Sequence, residues 1–269
     1  MKNNSNKGLI IFLVVLLSII VLGLGALLVV GLTGKGGAFG LHLGNPNISS
    51  NLVKEEVFDA SEIEKIKVDI KSGKIKVVGD DAKEDSKIVA KLYAKEEDWI
   101  SLRDTKNSIE IKDESNECHF FCFNWDGVSV ELFVPKDYAG SFNIDTSYGD
   151  VELGDFKHAS VSLDSSAGDI EIGSVKDVNA NLSAGDFGLG NCYGRVRIDN
   201  SMGNVEIDKL DITENSEIEL SMGNVEIKQI GDVNVEAKVD MGDSSVENSN
   251  PKSDVTLRIE NSMGNITVR

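Results

Sequence analysis

The sequence is poor in the residues that carry most enzymatic chemistry. It holds three histidines, His42, His119 and His158, and three cysteines, Cys118, Cys122 and Cys192. It has no nucleophile elbow, no H-E-x-x-H pair and no phosphate-binding P-loop. Acidic residues are missing from the first 54 positions, and charge of either sign is missing from 9–30. Beyond residue 53 no segment shows a sustained helical period, and 95–102 comes nearest. These absences exclude the common hydrolase and nucleotide-binding constellations. They point to a non-enzymatic, all-β chain.

What is present divides the chain. The uncharged run at 9–30 is almost wholly apolar, and about 20 such residues cross a hydrocarbon core as a helix. A cleaved signal peptide has a shorter apolar region of about 7–15 residues and a small-residue cleavage site. The following GLTGKGGAFG offers no such site. The expectation is an uncleaved signal anchor, one transmembrane helix over 9–32. Lys2 and Lys7 stand against Lys35 alone on the far side, so 1–8 is expected in the cytoplasm and the C-terminal domain outside. This makes the chain a single-pass cell-membrane protein. Residues 33–54, rich in Gly, Asn and Ser, read as a flexible linker. From residue 36 onward 24 basic residues face 45 acidic ones, a net charge of −21. That balance argues against nucleic acid, whose binding rests on neutralising phosphates. It favours solubility and cationic partners.

The phrase SMGNVEI at 201–207 returns letter for letter at 221–227, and SMGNITV closes the chain at 262–268. Its glycine marks a series: Gly149, Gly168, Gly185, Gly203, Gly223, Gly242 and Gly264. The spacing of 17–22 residues is the signature of a repeat architecture. Two and four positions after each glycine the residues are mostly apolar (Val205 and Ile207 in one copy), as is the residue five before (Ile198). Those between are polar or charged. Period-two alternation of this kind predicts strand, tight Ser-x-Gly turn, strand, with one face in a core. No single repeat can bury that face, but stacked repeats can, each capping the next. The predicted fold is a single-stranded parallel β-solenoid with rungs of about 17–22 residues, about 4.8 Å apart. Its regular part is 141–269. An earlier rung with Gly73 and an irregular capping region fill 55–140, with strands at 87–93, 108–111 and 128–134. Met202, Met222, Met241 and Met263 take the x of the turn and read as a column of soft filler. The final rung, ending at Arg269, reads as a bare edge open to end-to-end pairing.

A strand ending in proline, VELFVPKDY at 130–138, followed by SxGDVEI rungs, resembles the bacterial β-strand-repeat family of toastrack domains, the "putative adhesin" repeats that include LiaG-like proteins. The resemblance spans about 63–269. It implies a surface-exposed, non-enzymatic β-solenoid of the cell envelope, often encoded with membrane proteins of envelope-stress systems. It carries no catalytic residues over.

Several constellations invite chemistry. Asp145, Asp164, Asp199, Glu219 and Glu260 should share one outward column, where paired carboxylates could serve a glycosidase. A column of acids also arises from repetition itself. Asp150, Asp169, Asp186 and Asp243 follow the turn glycine and are candidate calcium ligands. Asn204, Asn224 and Asn265 hold the same place in other rungs and favour a turn-capping role instead. Cys118 and Cys122 could form a disulfide outside the cell, ahead of free thiols or a metal site with His119. Cys192 aligns with Phe156, Val175, Leu210 and Ile230 as a buried thiol. Phe120, Phe121, Phe123 and Trp125 read as the core of a cap, or as a contact surface. The connections between rungs vary from 5 to 10 residues, and the longest, 247–256, is a candidate binding edge.

The functional expectation is therefore a membrane-anchored extracytoplasmic binding protein, adhesin-like or an accessory of the envelope stress response. Its partner would be an envelope protein, a wall component or a cationic peptide. A wall-proximal spacer is the alternative, and a carbohydrate-active enzyme ranks last.

Overall fold

The computed structural model describes residues 47–48, 51–80, 86–115 and 126–269. The predicted anchor and most of the linker lie outside them, as do Cys118, Cys122, His119 and the neighbouring aromatics. No helix among the described residues is long and apolar enough to cross a membrane.

Strands dominate. The first part holds β1 (Asn47–Ile48), β2 (Leu52–Asp59), β3 (Lys65–Asp80), β4 (Lys87–Tyr93), β5 (Ile100–Thr105), β6 (Ser108–Asp113) and β7 (Asp126–Pro135). The middle holds β8 (Ser141–Leu153), β9 (Phe156–Ala167), β10 (Ile170–Leu182), β11 (Phe187–Cys192), β12 (Val196–Met202) and β13 (Val205–Leu210). The last part holds β14 (Ser216–Met222), β15 (Val225–Ile227), β16 (Asn234–Met241), β17 (Ser244–Val246), β18 (Thr256–Met263) and β19 (Ile266–Val268). The helical hint at 95–102 is a single 3-10 turn, Glu97–Trp99, running straight into β5. Strand β2 begins at Leu52, inside the segment expected to be linker.

The alternating sequence dictates this. In β12 the residues Val196, Ile198 and Asn200 are buried, while Arg197, Asp199 and Ser201 are exposed. Segments before each repeat glycine pair in register into one wall, in the order β6, β3, β8, β9, β10, β12, β14, β18, β16. Segments after the glycine build a second wall, β7, β3, β8, β10, β11, β13, β15, β19, β17. Phe156, Val175, Cys192, Leu210 and Ile230 stack as a third strip. Between the walls lies one continuous apolar core, with Phe142, Phe156 and Phe187 among its largest buried side chains.

Three expectations need correction. The solenoid is not purely parallel. Strand β4 runs antiparallel to β7, β2 antiparallel to β4, and β5 antiparallel to β6. A meander of this kind covers the open end of a parallel stack, because hairpins need only short connections. The rungs also do not stack in chain order. Strands β6 and β7 lie outside β3, so the chain crosses back over β3 before β8 continues on its other side. At the far end β18–β19 inserts between β14–β15 and β16–β17. The rung ending at Arg269 is therefore sandwiched, and among the described residues the open edge belongs to β16–β17. The long connection at 247–256 is explained by this order: it must step back across the gap that β18 fills.

The third correction concerns the Ser-x-Gly phrase. It is a bend within extended chain rather than a reversing turn, and β3 and β8 run through it unbroken. The glycine is needed for closeness as much as for its positive φ. A Cβ on Gly203 (φ 136°) would lie 2.0 Å from the Gly185 carbonyl oxygen, and one on Gly264 would lie 1.8 Å from that of Gly223. Each corner backbone presses directly on the corner below.

Substituting Gly203→Ala should therefore cost about 2–5 kcal/mol, combining a disfavoured φ with overpacking against fixed backbone. Chemical denaturation of the full chain monitored by circular dichroism checks this. The neighbouring exposed change Ser201→Ala should shift stability by no more than about 0.5 kcal/mol.

Candidate functional site

The outward acidic column is real and longer than expected. Along the first wall the register sets Asp69, Asp145, Asp164, Asn181, Asp199, Glu219 and Glu260 beside one another in successive rungs. Lys112 on β6 closes one end and Lys238 on β16 the other. Two residues on, Ser166, Ser183, Ser201, Ser221 and Ser262 form a parallel hydroxyl column at the corner. Between the columns runs a shallow furrow. One part, over Asp145, Asp164, Asn181 and Asp199, encloses about 300 Å³. Another, over Asp199, Glu219 and Glu260, encloses about 120 Å³. A larger cleft of about 550 Å³ lies under the β7–β8 crossover, against Ile63 and Tyr138. It gathers fewer charges and lies apart from the column.

Partial burial and the neighbouring acids together raise two carboxyls of this column. Desolvation first, then the charges of Asp69 and Asp164, hold the Asp145 carboxyl above its ordinary range, against the pull of Lys67. Desolvation, then Glu217 and Asp199, do the same to Glu219. Glu260 moves the other way because Arg258 donates hydrogen bonds to it. Asn181 interrupts the run and donates to Asp164 at 2.7 Å. On the second wall the glutamate column meets basic partners: Lys74 pairs with Glu152, Lys228 with Glu206 and Asp208, and Arg269 with Glu226. These pairs are exposed and individually weak.

The residues after the glycine do something other than capping their own turns. Each side-chain oxygen accepts the backbone N–H of its counterpart in the next rung. Asp150 takes that of Asp169 (3.1 Å), Asp169 that of Asp186 (3.0 Å), and Asp186 that of Asn204 (2.7 Å). Asn204, Asn224 and Asn265 continue the ladder through Asn224, Asn265 and Asp243. Only an oxygen acceptor is required, so Asp and Asn interchange. The calcium candidates Asp150, Asp169, Asp186 and Asp243 thus spend a carboxylate oxygen on the stack, except Asp243 at its end. Among the described residues no group of three or more His, Cys, Asp or Glu side chains could hold a metal ion.

Two residues with structural roles at the corner escaped the sequence reading. Asn200 and Asn261 are buried, each donating to the corner carbonyl of a neighbouring rung, Gly185 (3.0 Å) and Gly223 (2.9 Å). Their oxygens accept the N–H of Met202 and Met263. The shared phrase NSMGN at 200–204 and 261–265 was the signal for them. Cys192 is buried in the apolar strip, and burial pushes its thiol up to about 11. It is an inert thiol at neutral pH. His158 lies exposed on β9, away from the acidic column.

The chain belongs to the Toastrack DUF4097 family, whose model matches residues 63–269. No curated protein matches it. Similar solved structures include a "putative cell adhesion protein" from Clostridium sporogenes (17% identity, 80% of this chain and 98% of that one, TM-score 0.36). Others are a "putative adhesin" from Parabacteroides distasonis (12%, 80% and 96%, TM-score 0.40) and one from Bacteroides fragilis (14%, 82% and 98%, TM-score 0.37).

The raised carboxyls predict a pH effect of definite sign. Asp145 and Glu219 bind protons more tightly folded than unfolded, so their contribution to stability falls as pH rises through and above the ordinary carboxylate range. The variant Asp145→Asn/Glu219→Gln should be more stable than the wild type at pH 7, by roughly 0.5 kcal/mol per relieved pair. The advantage should shrink towards pH 4. Urea denaturation at the two pH values measures it.

Proposed function

We propose that this protein is a membrane-anchored, extracytoplasmic binding protein of the cell envelope, adhesin-like and non-enzymatic, which presents the acidic furrow to a cationic partner. The observation that carries the reading is the in-register column from Asp69 to Glu260. Seven rungs set their outward acids, and one Asn, along a single line. At about 4.8 Å per rung the line extends about 29 Å. A cationic peptide or an aminated wall polymer in extended form could lie along it, exchanging scattered counterions for fixed cations. The same field would slow the approach of anionic polymers. The apolar run at 9–30 supports a single membrane span with 1–8 in the cytoplasm. The family supports a place among envelope proteins, and with it an accessory role in the response to envelope stress. The rival reading is a spacer that holds its outer end away from the membrane without a ligand.

The test uses the full chain in nanodiscs and a fluorescent decalysine peptide. Neutralising Asp145→Asn, Asp164→Asn, Asp199→Asn and Glu219→Gln should weaken binding about tenfold or more. Neutralising Glu96→Gln, Glu97→Gln, Asp98→Asn and Asp104→Asn, outside the column, should change it less than twofold. Equal losses in the two variants would mean that the peptide senses only net charge, and would favour the spacer.

A further inference from the structure

Four of the chain's five methionines stand at the corner, and they are not filler. Met202, Met222, Met263 and Met241 expose 54%, 46%, 42% and 57% of their surface. Their Cα atoms are paired directly, Met202 with Met222, Met222 with Met263, and Met263 with Met241. Their order in space differs from their order in the chain. The inserted rung keeps the column unbroken, so four thioethers project into solvent from four successive rungs.

Nothing in the packing demands methionine here. The same position carries Ser72, Tyr148, Ala167 and Ala184 in the other rungs, so the backbone accepts small, aromatic and polar side chains. The corner changes character along its length. Where Tyr148, Ala167 and Ala184 stand, the residue after the glycine is Asp150, Asp169 or Asp186. Where Met202, Met222 and Met263 stand, it is Asn204, Asn224 or Asn265. Neutral amides accompany these three methionines, whereas Asp240 and Asp243 flank the corner of Met241 on the outer rung. The residues before these three methionines are Ser201, Ser221 and Ser262, also neutral.

We propose that this methionine column is a binding site for a soft monovalent cation, Cu(I) in the first instance. Thioether sulfur is a soft donor that selects Cu(I) over hard divalent ions. A methionine has three rotatable side-chain bonds, and rungs lie about 4.8 Å apart. Sulfurs from three neighbouring rungs can therefore converge on one ion without moving the backbone, with Met222 and Met263 common to either set of three. Thioethers are neutral, so the bound ion keeps its charge, and the anionic domain around it lowers the cost of holding it.

The test follows the methionine methyl signals of the full chain in nanodiscs, labelled with 13C-methyl methionine. Ag(I) is the redox-inert probe. Cys118→Ser and Cys122→Ser are introduced throughout to remove competing thiols. Titration should move the Met222 and Met263 methyl signals most and those of Met202 and Met241 less, and saturate at about one ion per chain, while the Met1 signal stays. Calcium should move none. Met222→Leu/Met263→Leu keeps the apolar bulk and should lower Ag(I) affinity at least tenfold, with an unchanged unfolding midpoint. Met202→Leu/Met241→Leu should weaken it less, because it leaves the central pair. Cu(I), supplied anaerobically, should be withheld from bicinchoninate by the parent and not by the central double variant. Shifts that never saturate, leucine variants that bind as tightly as the parent, or Cu(I) ceded fully to bicinchoninate would each overturn the proposal.

Discussion

The whole structure depends on how closely two backbones can approach at the corner. Each repeat glycine rests on the carbonyl of the corresponding residue one rung below, at a distance that a methyl group would destroy. That contact sets the register, because the glycine columns align only when every following residue aligns too. Register then fixes everything periodic in the molecule. Val205 falls beside Phe187 and Val225, Asp199 beside Asn181 and Glu219, and Met202 beside Met222. A slip of one residue would turn each apolar set to solvent. The side-chain ladder through Asp186 and Asn204, and the buried Asn200 and Asn261, hydrogen-bond the same corners and reinforce the same register.

The two ends of the stack share one feature, although an antiparallel meander covers only the first. At each end the outermost rung is not the one nearest the chain terminus of the repeat series. At the far end the outer rung carries the weakest inward residues: Val235, Ala237 and Val239 are half-buried, and Ser244 and Val246 are exposed. Beneath it Leu257, Ile259, Ile266 and Val268 are buried. Placing β18–β19 inside and β16–β17 outside buries the larger side chains on both sides and leaves the smaller ones to face water. At about 25 cal/mol per Å² of apolar surface, this arrangement is favoured over stacking in chain order. Lys112 and Lys238 flank the acidic column at the same two ends, and Lys238 places a charge on the outer strand β16, where charge opposes uncontrolled pairing.

Much of the site was legible before the fold was seen. The acidic column follows from period-two alternation and constant spacing, and so does the methionine column. What stayed hidden was what those residues touch. The sequence weighed Asp150 as a cap of its own turn against a calcium ligand and favoured the cap, whereas its oxygen accepts from the next rung. The choice was made by the neighbouring rung, whose backbone N–H lies within reach because the glycine corner is so tight. The methionines looked like core filler because methionine usually is. Their exposure depends on the corner bending outward at x, which alternation around a glycine of positive φ does not reveal.

By itself the sequence determined that the chain is a β repeat, where its corners lie, which residues face inward and which line up outside. These properties are local, and each copy states them again. The order of rungs, the antiparallel meander at one end and the exposed edge at the other were decided by tertiary packing alone. Copies as alike as SMGNVEI at 201–207 and 221–227 pair with one another in any order with nearly equal hydrogen bonding. The order is therefore set by which face of which rung must be kept from water, and that quantity exists only once the rungs are stacked.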